Sequence, residues 1–168
     1  SFASAEKSQT NQLDKLFFIL SESNNYDKIV SIEKKIWSIW NEHPNNQNLT
    51  DKLEFGIELM YEGSYEYALS VFTNVINSDP NWSEPWNKRA TLLFLMKKYT
   101  NSLNDIKKVL KLEPRHFGAL SGKAQIFIEL KEYEKAVIAL KEAKKIHPGL
   151  KIYNLIPFLE KKIKGLEI

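Results

Sequence analysis

His43, His116 and His147 are the side chains of this 168-residue chain best suited to acid–base or metal chemistry. They stand far apart in sequence, and none forms a pair at metal-ligand spacing. The chain has no cysteine, so neither a disulfide framework nor a thiolate metal site is open to it. Glu54, Glu58 and Glu62 recur every four residues and line one side of a helix. A two-carboxylate acid–base site needs groups that face each other across a cleft, one of them desolvated. A single stripe reads instead as a solvated face. There is no glycine-rich phosphate loop and no serine elbow. The sequence therefore predicts a non-enzymatic protein, with no catalytic residue, no metal and no cofactor.

The elements that position these residues repeat. Pro80, Pro114 and Pro148 are spaced 34 residues apart, and a lattice of residues moves with them. Tyr65, Tyr99 and Tyr133 keep the step, as do Gly56, Ala90 and Ala124, and Ala68, Ser102 and Ala136. Phe72, Ile106 and Leu140 follow, with Val75, Val109 and Ala143. Registers of these types holding through three copies at a period of 34 specify helix–turn–helix units that stack into a solenoid. Each proline ends the second helix of its unit. The small residues let the two helices of a unit approach, and the tyrosines open each second helix and wedge between units.

Residues 1–10 are small and polar and are expected to be a disordered tail. Leu13, Leu16, Phe17 and Leu20, then Ile29, Ile32, Ile36 and Ile39 or Trp40, mark two amphipathic helices within 11–48. This pair lacks the tyrosine and small-residue registers and is expected to cap the open end of the stack as a degenerate repeat. Regular units span 49–82, 83–116 and 117–150, and an amphipathic capping helix follows in 151–168, running to about Leu166, with Pro157 kinking it or marking its first turn. The expected class is all-α: a right-handed superhelical solenoid of antiparallel helix pairs, forming a single domain from residue 11 onward.

Charge is uneven. Residues 49–82 hold one lysine against six acids, 83–116 hold eight basic groups against three acids, and 117–168 hold ten against six. The solenoid thus has an electrical polarity along its axis. The basic half leaves nucleic-acid binding as an alternative function, and a structural subunit of a larger assembly as another. No apolar run is long enough to span a membrane as a helix. Phe2-Ala3-Ser4-Ala5 resembles the small-residue end of a secretory signal, which raises the expectation of a periplasmic or exported protein against a cytoplasmic or organellar one.

The three units resemble tetratricopeptide repeats. Their small residues, tyrosine, large apolar residue and proline fall at that family's positions, and Trp86 supplies its first aromatic in the second unit, where Lys52 and Leu120 replace it in the others. Trp86–Thr91 and Glu113–Leu120 are also similar to a small group of alphaproteobacterial and organellar tetratricopeptide proteins that tend to be exported. The resemblance implies a protein-binding scaffold, expected to be a monomer, that holds a peptide or helix on a concave face lined by each first helix. Carried over by position, that groove comprises Leu53, Ile57, Tyr61, Asn87, Lys88, Thr91, Phe94, Gln125 and Ile128, unless the N-terminal helix pair or a neighbouring molecule covers these residues. Some members grip the acidic tail of heat-shock chaperones with lysine, asparagine and arginine. Here the corresponding places hold Leu53, Ile57, Lys88, Gly118 and Gly122, so that clamp is missing. Nucleic-acid reading by one base per repeat is disfavoured, because the equivalent positions vary chemically.

Two inter-repeat loops carry further candidates. Trp82, one turn before Trp86, either stacks on a ligand or packs on the first unit. Arg115 beside His116 either binds an acidic group or pairs with Glu84 or Asp79.

Overall fold

The computed structural model describes residues 1–165, with Phe2 described by its backbone only. The expected end of the last helix at Leu166 lies outside the described residues. All regular structure among them is helical: α1 (Phe2–Glu22), α2 (Tyr26–Trp40), α3 (Gln47–Tyr61), α4 (Tyr65–Ser78), α5 (Ser83–Leu95), α6 (Tyr99–Leu112), α7 (Phe117–Glu129), α8 (Tyr133–Ile146), a 3₁₀ turn (Lys151–Leu155) and α9 (Ile156–Ile163). The pairs α3/α4, α5/α6 and α7/α8 stack in sequence.

Local chemistry sets the ends of these helices. A residue before proline is pushed out of the α region. Asp79, Glu113 and His147, each preceding a proline, are extended at φ −146°, −137° and −131° and stop α4, α6 and α8. Inside each unit the turn needs one residue in the left-handed region. Gly63 takes it at φ 81°, but Lys97 and Lys131 adopt φ 59° with a Cβ attached. The turns close alike, with Ser64 N donating to Leu59 O at 2.9 Å, Lys98 N to Leu93 O at 2.8 Å and Glu132 N to Phe127 O at 2.8 Å.

The small registers do what their size allows. A Cβ on Gly56 would lie 2.5 Å from the fully buried Phe72 ring. Ser102 is buried between α5 and α6, where its hydroxyl donates to Ala90 O at 2.7 Å. Stacking between units runs through a different register. Leu92 and Ile126, spaced 34 residues apart on α5 and α7, are fully buried. Leu92 belongs to the core of the preceding unit, beside Leu53, Phe72 and Val75. Ile126 likewise enters the core around Ile106 and Val109.

Two expectations need correction here. Residues 1–10 are not a disordered tail, because α1 begins at Phe2 and Gln9 Nε2 donates to Glu42 O at 2.9 Å, tying its first half to the end of α2. Nor do α1 and α2 cap the stack as an extra repeat. Leu13, Phe17 and Leu20 pack on Ile29, Ile32, Ile36 and Trp40, and the pair closes over Phe117 at the start of α7. The first unit explains why. At the positions where later units offer Pro85 and Leu92, or Ala119 and Ile126, it carries Asp51 and Glu58, both exposed. A helix pair stacked there would bury carboxylates without partners. At the other end, α9 covers α8 through buried Leu159, and Pro157 sits in the first turn of α9 rather than kinking it.

The two strained lysines give a measurable consequence. Left-handed geometry costs a residue with a Cβ about 1–2 kcal/mol, partly offset by the extra freedom glycine brings to the unfolded chain. Lys97→Gly and Lys131→Gly should each stabilise by about 0.5–1 kcal/mol, raising the calorimetric melting temperature by about 2–4 °C. Gly56→Ala should destabilise by about 1–3 kcal/mol, because the Phe72 ring has no space into which to retreat.

Candidate functional site

The site is the concave face of the stack together with the helix laid along its edge. α2 crosses the three inter-repeat loops, and three histidine–carboxylate contacts mark its course. His43 Nε2 lies 2.8 Å from Asp79 Oδ2 in the first loop. His116 Nε2 lies 2.8 Å from Glu84 Oε2 and joins the second and third units. His147 Nε2 lies 2.9 Å from Glu33 Oε2 on α2 itself. In each ring Nδ1 accepts a main-chain N–H, from Asn45 at 3.3 Å, Ala119 at 3.0 Å and Gly149 at 3.2 Å. The ring proton therefore sits on Nε2 and is donated to the carboxylate. The histidines that opened the search for chemistry are pins.

Aromatic packing completes the seam. Trp40 stacks on His116 with centroids 4.0 Å apart, and its carbonyl accepts from Trp82 Nε1 at 3.1 Å. Trp37 reaches further onto the concave face. A Cβ on Gly118 would lie 2.5 Å from its ring, and the Lys88 ammonium lies 5.0 Å from the ring centroid.

Under Trp37 lies the fully buried Glu84 carboxylate. Burial alone would raise it, but His116, Lys88 and Asn87 outweigh that and hold it below the usual carboxylate range. Lys88 Nζ stands 3.3 Å from Glu84 Oε1, and Asn87 Nδ2 donates to the same oxygen at 3.0 Å. Beside the seam, burial would lower the Arg115 guanidinium, yet hydrogen bonds to Glu113 and Asp14 raise it overall.

The sequence-derived groove residues therefore divide. Leu53 is fully buried in the first core, and Asn87 is buried with its Nδ2 donating to Glu84. Lys88 is committed to Glu84 and Trp37. Thr91, Phe94 and Gln125 line one cavity of about 130 Å³ with Asn87, Gly118 and Gly122. Ile57 and Ile128 are half-buried, and Tyr61 stands 83% exposed.

Of the loop candidates, Trp82 takes the second of its two expected places, packed in the core of the first unit with its Nε1 donating to Trp40 O, while His116 is enclosed by Glu84 and Trp40 rather than open to a ligand. Arg115 pairs with Glu113 at 3.0 Å and with Asp14 of α1 at 2.7 Å, not with Glu84 or Asp79. The chain's own first two helices take the place a ligand would need. Sequence reasoning missed Glu33, Trp37 and Trp40 as parts of this face. Their signal was indirect: Asp51 and Glu58 leave α2 no stacking partner on the first unit. Among the described residues no group of three or more histidine or acidic side chains could hold a metal ion.

This geometry defines a helical-repeat solenoid with a partly covered concave face. The tetratricopeptide repeat pattern matches residues 83–116 and 118–149. A TPR repeat-containing protein of Rhizobium etli is 38% identical over 122 residues, covering 73% of this chain. The chain spans 59% of that relative's length. Among solved structures, the first TPR of Spaghetti (RPAP3), bound to the HSP90 peptide SRMEEVD, superposes with a TM-score of 0.67 at 19% identity, over 71% of this chain and 96% of that one. MamA protein superposes with a TM-score of 0.64 at 18% identity, over 96% and 85% respectively. Residues 83–116 and 118–149 of this chain are tetratricopeptide repeats.

The buried carboxylate gives the site a pH signature. Its folded-state value lies below the ordinary 4.5, so the charged form stabilises the fold above that pH, and the contribution is lost as pH falls through the folded value. Thermal melts of the wild type should drop steeply below about pH 4.5. Glu84→Gln should start lower at neutral pH and lose less on acidification. Parallel pH slopes for the two proteins would show that another group carries the effect.

Proposed function

We propose that this chain is a non-enzymatic scaffold that holds a segment of another polypeptide on the part of the concave face left open beyond Trp37. The observation that carries the reading is the arrangement of that face. Tyr61, Thr91, Phe94, Leu95, Gln125 and Ile128 offer apolar and hydrogen-bonding surface beside a small cavity, with none of the surrounding groups arranged for catalysis. Such surfaces recognise helices or extended peptides through a few anchors. The upper half of the same face already accepts an indole from a helix, namely Trp37 over Gly118 and Lys88.

The RPAP3 domain bound to an HSP90 peptide supports the general use of such a face. The partner here differs in kind. The lysine and asparagine places of the chaperone clamp hold buried Leu53, half-buried Ile57 and small Gly118 and Gly122. Lys88, the one base among them, faces Glu84. Among the described residues at the clamp places, an acidic chain terminus finds no free cation. An apolar-anchored segment does find a fit, and a micromolar complex requires only about 8 kcal/mol from a few such anchors.

The groove can be blocked without touching the core. Thr91 and Gln125 are exposed, so Thr91→Arg with Gln125→Arg fills the open half while leaving Glu84 and Trp37 undisturbed. In selection from a displayed random-peptide library, the wild type should enrich a family of apolar-anchored sequences. The double variant should bind those peptides at least roughly tenfold more weakly, a loss of about 1.4 kcal/mol. Equal binding by both proteins would place the recognition surface elsewhere.

A further inference from the structure

We propose that the two ends of the solenoid are complementary and that copies of this chain associate head to tail, the acidic end of one seated on the basic end of the next. This is independent of the groove, since neither end contributes to it.

The head is the outer side of α3 and α4. Arg89 of α5 donates to Thr73 of α4 at 3.2 Å, which identifies its register as one that meets the preceding unit. The residue 34 places earlier is Phe55, which has no preceding unit to meet. Phe55 is 42% exposed and packs edge-on against Tyr67, itself 56% exposed, with ring centroids 5.6 Å apart. Asp51, Glu58, Glu62 and Glu66 lie exposed around this pair. None of the four has an ion-pair partner among the described residues. An aromatic pair ringed by carboxylates without ion-pair partners, one of them accepting from Gln47 Nε2, is a polar-rimmed apolar patch.

The tail is the outer side of α9. Leu155 and Phe158 stand 40% and 44% exposed, and the Lys162 ammonium lies 5.9 Å from the Phe158 ring centroid. Lys151, Lys161 and Lys164 are exposed on the same segment, Glu160 of α9 is drawn to Lys141 at 3.3 Å, and Glu132, which borders Ile163 with Glu134, is paired with Lys135. Apolar centres of similar kind thus carry rims of opposite sign. Like ends repel and unlike ends attract, so the electrostatics select a head-to-tail contact over a two-fold one. Such a heterologous contact leaves a free head and a free tail after every addition, and it extends unless the rotation happens to close a ring. The chain expected from its sequence to be a monomer becomes, on this reading, a protomer whose assembly depends on concentration and salt.

The test uses the 168-residue chain and two charge-swap variants at exposed positions. One carries Asp51→Lys, Glu58→Lys, Glu62→Lys and Glu66→Lys, and the other Lys151→Glu, Lys161→Glu, Lys162→Glu and Lys164→Glu, with circular dichroism confirming that both are folded. Sedimentation velocity of the wild type in low salt should show a mass that climbs with concentration past the dimer and falls back toward the monomer at high salt. Each variant alone has two ends of one sign and should need roughly tenfold more protein to associate. An equimolar mixture restores opposite signs at every contact and should assemble like the wild type. Three results would each overturn the proposal: a wild type that stays monomeric throughout, growth that stops at a salt-insensitive dimer, or variants whose mixture remains as dispersed as each alone.

Discussion

A helical hairpin of fourteen or so residues per helix cannot cover its own apolar side, and everything in this molecule follows from where each hairpin finds cover. In the regular units the cover comes from the next unit. Leu92 leaves its own helix pair and completes the core built by Leu53, Phe72 and Val75, and Ile126 does the same one unit later. These insertions, with Leu92 and Ile126 fully buried on arrival, fix the order and spacing of the stack. The small residues at the crossing of each pair set how closely its helices lie, and the extended residue before each proline aims the chain at its next neighbour.

The first helix pair meets the same demand without a place in the stack. Its apolar side is built from Leu13, Phe17, Leu20, Ile32 and Ile36, and the end of the stack that it could have joined presents Asp51 and Glu58 instead of apolar side chains. The seam of inter-repeat loops offers what that end lacks. There Phe117 supplies apolar area, His116 a flat ring for Trp40, and His43 and His147 polar contacts of defined direction. A buried polar contact contributes specificity of register when each member is satisfied. All three imidazoles are satisfied at both nitrogens, so the chain is held along the row of loops at the middle of α2 through Glu33, at its C-terminal end through Trp40 and just beyond it through His43.

The repeat lattice was legible because stacking imposes the same steric demand three times. Tyr65, Tyr99 and Tyr133 open α4, α6 and α8, and proline follows each of these helices by two residues. Periodicity carries no information about a segment that breaks the period. The course of α1 and α2 depends on contacts more than a hundred residues apart in sequence, Asp14 of α1 with Arg115 and Glu33 of α2 with His147, and no local pattern announces them. The inner wall was legible only as a set of positions. That Leu53 lies in the first core and that Asn87 and Lys88 serve Glu84 follow from packing within and between units, and the enclosure of His116 follows from where α2 lies.

One residue shows how closely the seam and the concave face are joined. Glu84 opens α5 at a place on the inner wall, fully buried, where an unpaired carboxylate would be costly. It is tolerated because one oxygen meets His116 from the loop while the other meets Asn87 and Lys88 from the wall. Trp40 covers the histidine and Trp37 covers the lysine, so both indoles come from the same helix. Lifting α2 would expose His116 and Lys88 together and let water reach the carboxylate between them. The upper half of the groove and the attachment of α2 are therefore a single energetic unit. A partner that competes with Trp37 for Gly118 would have to replace its cover over Lys88, whereas one confined to Thr91, Phe94 and Gln125 meets a wall already complete. That asymmetry is the physical reason to place recognition on the lower half of the face.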